Sequence, residues 1–432
     1  MELESATAPQ LWGGVECTVN RVGDRFSNQL ERSGHWDRED DLARFAELGL
    51  RTLRFPLLWE TLARRSHGEV DWKWADRRVT QARELGIRPI AGLLHHGSGP
   101  RDTNLLDPAF PEKFARYAAA VARRYPSIDA YTPINEPLTT ARFSALYGHW
   151  YPHASDDVSF ARALLMQTRA IVLAMRAIRE VRPDAILVQT EDLGETFSTP
   201  ALRYQAEFEN ERRWVTWDLL SGRIGRQHPL WTYLMWAGVS EMELEFFSAE
   251  PCPPDIIGVN YYVTSERYLG EDRLAFPSES RGGNGRDCYA DIAAARSPMR
   301  EATGLKKLLL EVKERYAVPI AVTEAHLGCA SDEQLRWFME IWEAARAARN
   351  EGADILAVTV WSLLGSFDWH NLVTRHEGHY EPGVFDVSHG EPRPTPLAPM
   401  VRRLAAGEEF HHPALATPGW WRRAVRLERQ CA

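Results

Sequence analysis

Short apolar runs alternate with amphipathic stretches along almost the whole chain. "LWGGVECTV" opens the series, and "TLRFPLLW" follows the helix-patterned "DREDDLARFAELGL". "RPIAGLLHH" follows "WKWADRRVTQARELGI", and "AYTPINEP" follows "PEKFARYAAAVARRY". "AILVQTED" comes after the long "SFARALLMQTRAIVLAMRAIREV". "DIIGVNYY", "VPIAVTEA" and "ILAVTVWSLL" complete eight strand candidates, and "TPLAPMVRRLAA" predicts a last helix. Strands that alternate with helices form a parallel sheet, and eight such units close most economically as a (β/α)8 TIM barrel. An open doubly wound sheet is the alternative. It normally carries a glycine-rich turn after an early strand, and the sequence contains no G-x-G-x-x-G. The chain therefore reads as one α/β domain with loop insertions over residues 1–432, with a core at about 11–405 and a carboxyl-terminal extension at 406–432. Residues from about Ser265 to Arg300 are rich in Gly, Ser and Arg without periodicity and read as a long loop after strand six.

Composition narrows the classes of partner. The formal net charge is -9 with both signs interspersed and no basic stripe, so no nucleic-acid partner is expected. "MELESATAPQLWGG" lacks the charged and apolar regions of a signal peptide, and no apolar run reads as a membrane span. Cys17, Cys252, Cys288, Cys329 and Cys431 are scattered without a C-x-x-C pair, which fits a reduced, cytoplasmic protein without a zinc site.

In a barrel, the carboxyl ends of the strands face one common site. Here those ends carry Arg54, His95, Asn135 with Glu136, Asn260 with Tyr262, Glu324 and Trp361. Singly, a strand-end Glu is usually a helix cap and a Trp is usually core. What changes the picture is that Glu136 and Glu324 end different strands of the same mouth. Two such carboxyls are what glycosidic cleavage requires, one protonated to serve the leaving oxygen and one ionised to attack or to activate water. Arg54 and Tyr262 are suited to keep Glu324 ionised, and apolar surroundings would keep Glu136 protonated.

The strand-end motifs resemble those of the family-1 glycoside hydrolases, the β-glucosidase family. "TPINEP" resembles the T-[FL]-N-E-P of its acid/base, and "PIAVTEAHLG" resembles the I-T-E-N-G of its nucleophile. "LWGGVECTVN", "LRFPLLWE", "IGVNYY" and "VWSLLGSFDW" resemble four further motifs, in the family's order, from about Leu11 to Asp386. The resemblance implies a barrel that cleaves terminal β-glycosides with retention, using no metal or organic cofactor. It implies Glu136 as acid/base and Glu324 as nucleophile, oriented by Arg54 and Tyr262. Asn135 would bond the sugar 2-hydroxyl, and Asn20 and His95 would bind hydroxyls at the closed end. Trp361 would be the stacking platform, and Asp368 and Trp369 would contact the far hydroxyls. The partner implied is a small β-glycoside or oligosaccharide.

Several positions depart from the family pattern. Asn20 stands for Gln, Asp368 for Glu, His96 for Trp and Ala325 for Asn, and Glu16 adds a carboxylate that reads either as an ion-pair member or as part of the site. The two shortened arms put the identity of the sugar in question. Three rival readings arise. A metal-dependent hydrolase is disfavoured because adjacent His95 and His96 point to opposite faces of a strand. A carbohydrate-binding or transglycosylating barrel is the alternative function. The chain also resembles the amino-terminal module of bacterial fusions with a dTDP-4-dehydrorhamnose reductase-like domain, although it carries no residues for hydride transfer.

Overall fold

Eight parallel strands close on themselves in the computed structural model, which describes residues 8–297 and 303–423. They are β1 (Gln10–Gly14), β2 (Thr52–Pro56), β3 (Arg88–His95), β4 (Ala130–Asn135), β5 (Ile186–Asp192), β6 (Ile256–Asn260), β7 (Ile320–Glu324) and β8 (Ile355–Val360). β1 pairs with both β2 and β8, so the sheet has no free edge. The outer ring consists of α1 (Asp41–Glu47), α2 (Lys73–Glu84), α3 (Phe110–Arg124), α4 (Asp157–Arg179), α5 (Val215–Leu220), α6 (Leu305–Tyr316), α7 (Ser331–Asn350) and α8 (Leu397–Ala405). The expected (β/α)8 barrel is thus the observed fold, and each of the eight strand readings corresponds to a barrel strand.

The helices form where apolar residues recur at helical spacing. On α3, Phe110, Phe114, Tyr117 and Val121 are buried on one stripe. Trp59 receives Phe114 and Tyr117 at ring separations of 5.7 and 5.9 Å. Each such fully buried side chain contributes about 2 kcal/mol. α4 starts where the Asp156 carboxylate accepts the Ser159 amide at 2.8 Å. By length and composition α4 is apolar enough to cross a membrane, but 72% of its apolar window is buried against the rest of the protein.

Inside the barrel, Trp12, Ile90, Ala130, Val188, Ile256, Ala321 and Ala357 form a separate apolar floor drawn from seven strands. The two-residue period of a strand then carries chemistry from floor to mouth. On β6 the inward series is Ile256, Gly258, Asn260, and on β5 it is Val188, Thr190, Asp192. Gly258 is needed there, because a Cβ would fall 2.6 Å from Thr190 Cγ2 and 2.8 Å from Thr323 Oγ1.

Two expectations are corrected. The segment read as a loop over about Ser265 to Arg300 contains Arg267–Gly270, Arg281–Gly283 and Cys288–Ala293, which form a four-stranded sheet with Thr196–Ser198. Its longest strand, Cys288–Ala293, shows no clean two-residue period, and the flanking Gly, Ser and Arg residues are those of a loop. Cys329 is disulfide-bonded while Cys17, Cys252 and Cys288 are free, so the cysteines are not all reduced. The extension beyond α8 packs on α7, where Trp421 Nε1 donates to Glu340 Oε2 at 2.9 Å and Arg336 Nε donates to the Ala414 carbonyl at 2.7 Å. The expected extension from residue 424 onward, including Cys431, and the first seven residues lie outside the described residues.

Gly14 ends β1 directly beneath Trp361, and a Cβ there would fall 2.5 Å from Trp361 Cζ3. Gly14→Ala is expected to cost about 1–3 kcal/mol through overpacking, measured as a lower urea midpoint with an unchanged slope.

Candidate active site

The strand ends converge on a buried polar network. Glu136 follows β4 with φ 46°, a left-handed conformation that a non-glycine residue adopts only when its surroundings hold it there. Its amide donates to the Thr190 carbonyl at 3.2 Å. The short helix behind it, Pro137–Ala141, is anchored by Glu191, whose Oε1 accepts the Leu138 amide at 2.9 Å and the Thr216 hydroxyl at 2.5 Å. Burial pushes the Glu191 carboxyl up to about 8.

Glu136 and Glu324 are only 4% and 2% exposed. Their surroundings are unequal. Glu324 is gripped by the Arg54 guanidinium on Oε1 and by the Tyr262 hydroxyl on Oε2. Glu136 accepts the Asn260 amide at 2.5 Å on Oε1, and its other oxygen lies 3.8 Å from His96 Nε2. Burial raises the carboxyl of Glu136 well above its ordinary range, and the charges of Glu324 and Asp192 push it further. Burial also raises Glu324, but Arg54 and Tyr262 pull it back. Of the two, Glu136 is the one whose surroundings favour the protonated form more.

Asn135 ties the network together. Its Oδ1 accepts from Arg54 at 2.7 Å, Thr190 at 2.8 Å and Asn260 at 3.3 Å. Its Nδ2 faces both His95 Nε2 and His96 Nε2 at 3.3 Å. Both imidazoles are neutral: burial and Arg54 lower His96 to about 3, and burial, His96 and Arg54 hold His95 well below its ordinary value. Each Nε2 can then accept from the amide, and His96 Nδ1 lies 3.0 Å from Thr140 Oγ1.

The residues expected to bind sugar are arranged differently from one another. Trp361 is at the mouth, but His95 stacks on it at 5.5 Å with an interplanar angle of 8°, and Arg54 lies 4.8 Å from its ring centre. Among the described residues, Glu16 forms no ion pair. Its carboxyl accepts the Thr18 amide at 2.8 Å and the Trp361 indole at 3.3 Å, which fixes that ring. Burial, then the charge of Glu324, raises its carboxyl.

Asp368 has partners that the sequence reading did not foresee. It begins the loop 368–379 of a hairpin in which Ser366–Phe367 pairs with Tyr380–Glu381. One carboxylate oxygen accepts from Arg32 at 2.6 Å and from the Glu377 amide at 3.1 Å, and the other accepts from the His379 amide at 2.8 Å. Burial would raise this carboxyl, but Arg32 and the amides outweigh it and hold it low. Asp368 thereby clamps the loop. Asn20 is likewise engaged: its Nδ2 donates to the Val373 carbonyl at 3.1 Å, while its Oδ1 is buried without a partner. Trp369 packs edge-on to His96 at 5.5 Å, with its indole nitrogen buried and unpartnered.

Sequence reasoning assigned no role to Asn260, Thr190, Thr323 or Trp150. Asn260 stood at a strand end beside Tyr262, and that position was the available signal. Thr323 Oγ1 orients Asn260 by donating to its Oδ1 at 2.7 Å. Among the described residues, no group of three His, Cys, Asp or Glu side chains is placed to hold a metal ion.

Two buried acids at the mouth of a closed barrel are an arrangement that glycosidic cleavage can use. The glycosyl hydrolase family 1 model matches residues 33–380, and the chain belongs to that family. Thermostable β-glucosidase B of Thermobispora bispora is 25% identical over 409 residues, covering 83% of this chain and 78% of that protein. The bifunctional β-D-glucosidase/β-D-fucosidase of Bifidobacterium breve is 23% identical over 421 residues, covering 85% of this chain and 86% of that one. Among solved structures, the family 1 β-glucosidase from Thermotoga maritima superposes with a TM-score of 0.73 at 17% identity, covering 94% of this chain and 99% of that chain.

Asp368→Ala removes the clamp and strands Arg32. A stability loss of about 2–3 kcal/mol is expected, since Arg32 is partly exposed and can recover water. Hydrogen exchange should quicken at the Glu377 and His379 amides while the barrel strands keep their protection.

Proposed function

We propose that the protein is a retaining β-glycosidase that hydrolyses terminal non-reducing β-D-glycosides by double displacement. The observation that carries this reading is the unequal environment of the two acids. Glu324, held by Arg54 and Tyr262, is the carboxylate better able to stay ionised and to attack the anomeric carbon. Glu136, bonded only through Asn260 and flanked by negative charge, is the one that holds a proton for the departing oxygen. After the glycosyl–Glu324 ester forms, Glu136 takes a proton from the incoming water, and the water oxygen displaces Glu324. The sugar 2-hydroxyl would meet the Asn135 amide, which the two neutral imidazoles share at long range. The β-glycoside substrate class is supported by the names of the relatives. A cytoplasmic location, expected from composition alone, and a role in glycoconjugate processing beside a sugar-nucleotide reductase, suggested by a sequence resemblance alone, are further parts of this proposal.

The nucleophile is tested with Glu324→Ala. Turnover of aryl β-glycosides should fall by several orders of magnitude, and azide should restore part of it by giving an α-glycosyl azide. Near-normal turnover in that variant rejects the assignment.

The pH profile tests the division of labour. The ratio kcat/KM should rise with pH as Glu324 ionises and fall as Glu136 loses its proton, with the falling limb displaced upward by the burial of Glu136. Glu136→Gln should remove the alkaline limb. For substrates with poor leaving groups it should also slow turnover by roughly 10²–10⁴-fold. The same loss for nitrophenolate leaving groups in the glycosylation step, which need little protonation, contradicts the acid role.

A further inference from the structure

Asp192 is the last residue of β5, half-buried beside the end of β6. In the register of the two strands it pairs with Asn260, whose amide donates to Glu136 Oε1 at 2.5 Å. Thr190, two residues earlier on β5, accepts the Glu136 amide at its carbonyl. The strand end that carries Asp192 is therefore the one against which Glu136 is laid.

Hydrogen bonds join Asp192 to the other acid. The Ser265 hydroxyl donates to Asp192 Oδ1 and accepts the Tyr262 amide at 2.9 Å. The Ser265 amide returns a bond to the Tyr262 carbonyl at 3.1 Å, which closes the turn. The Tyr262 hydroxyl grips Glu324. Gly194 lets the two segments approach, because a Cβ there would fall 1.9 Å from the Ser265 carbonyl oxygen.

The charges around Asp192 are mixed. Glu191 on its own strand, Glu136 after β4 and Glu324 ending β7 oppose its ionisation. Arg142, in the turn that follows the helix Pro137–Ala141, and Arg267, on the four-stranded sheet, favour it. Burial raises the Asp192 carboxyl, while the Ser265 hydroxyl and the two guanidinium groups pull against it. Of two neighbouring carboxyls, the one faced by cations and donors ionises first. Here that one is Asp192, and Glu136 is left with the proton.

We propose that Asp192 is a positioning residue for both acids: through the Ser265 hydroxyl it fixes Tyr262 on Glu324, and as a neighbouring anion it keeps the proton on Glu136. This deepens the glycosidase reading and rests on it. The anion also outlasts the one on Glu324. Once the glycosyl ester forms, Glu324 carries no charge and Asp192 keeps its own, so Glu136 stays a strong base toward the incoming water.

Two variants separate the brace from the charge. Asp192→Asn keeps an oxygen for Ser265 and removes the charge. The alkaline limb of kcat/KM for a phenyl β-glycoside should then move down by about half a pH unit or more. Ser265→Ala keeps the charge and removes the brace. Its acid limb should move up, since Tyr262 no longer holds Glu324 ionised, and its alkaline limb should stay in place. Carboxyl 13C NMR of the full chain labelled at glutamate reads the apparent midpoint of Glu136 without turnover, the signal being assigned with Glu136→Gln. That midpoint should fall in Asp192→Asn. A Glu136 midpoint unmoved in Asp192→Asn overturns the proposal, and so does an acid limb unmoved in Ser265→Ala. If the midpoint falls but the wild type turns over no aryl β-glycoside, the hydrolase reading fails and the link between Asp192 and Glu136 stands. If Glu136→Gln removes the alkaline limb while Asp192→Asn leaves it in place, the hydrolase reading stands and this proposal falls.

Discussion

The ion pair between Arg54 and Glu324 is the interaction on which the chemistry of the mouth depends. Glu16, Glu136 and Glu324 are all buried at this end of the barrel. At an effective dielectric constant of about 20, two charges 4 Å apart interact by about 4 kcal/mol. Several ionised carboxyls therefore cannot share the space cheaply. Arg54 bonds to one of them and leaves the others to take up protons. The same guanidinium helps keep His95 and His96 neutral, so that their nitrogens can accept from Asn135. One cation thereby lowers the proton affinity of Glu324 and, alongside burial, of both imidazoles around it.

The cation can do this because the backbone leaves it no alternative position. Arg54 lies within β2, bonds to the Thr323 carbonyl and to Asn135, and lies over Trp361. Its neighbours are fixed in turn by Thr190, Thr323 and Glu16. Gly14 and Gly258 supply the missing volume that lets these groups approach. The catalytic geometry is consequently a property of strand ends, which the closed sheet holds rigid. The 368–379 loop, by contrast, is held by side-chain clamps.

That division explains what was legible in the sequence. The barrel was readable because strand and helix periods alternate cleanly, and the acid pair was readable because strand ends face one site. Arg54, Asn135, Tyr262 and both acids lie where the strand reading places them. The sheet built from Thr196–Ser198 and the strands between Arg267 and Ala293 was not readable, because its strands are three to six residues long and its composition is that of a loop. The role of Glu16 was ambiguous because its partners are an indole and an amide, and neither leaves a charge pattern. The clamp between Arg32 and Asp368 joins residues 336 positions apart, and no local spacing encodes it.

Asp368 and Asn20 show how a shortened side chain acquires a different use. Read singly, each is one methylene short of the arm that grips sugar in the family, which implies a weaker grip. In the fold, the short aspartate lies close enough to its own hairpin to accept two backbone amides, a reach that suits capping a turn. The short asparagine is met by a carbonyl of the loop that the aspartate organises. The two changes are therefore coupled through the backbone. The first secures the loop and the second receives its tip. A longer side chain restored at either position alone would meet a loop already in place.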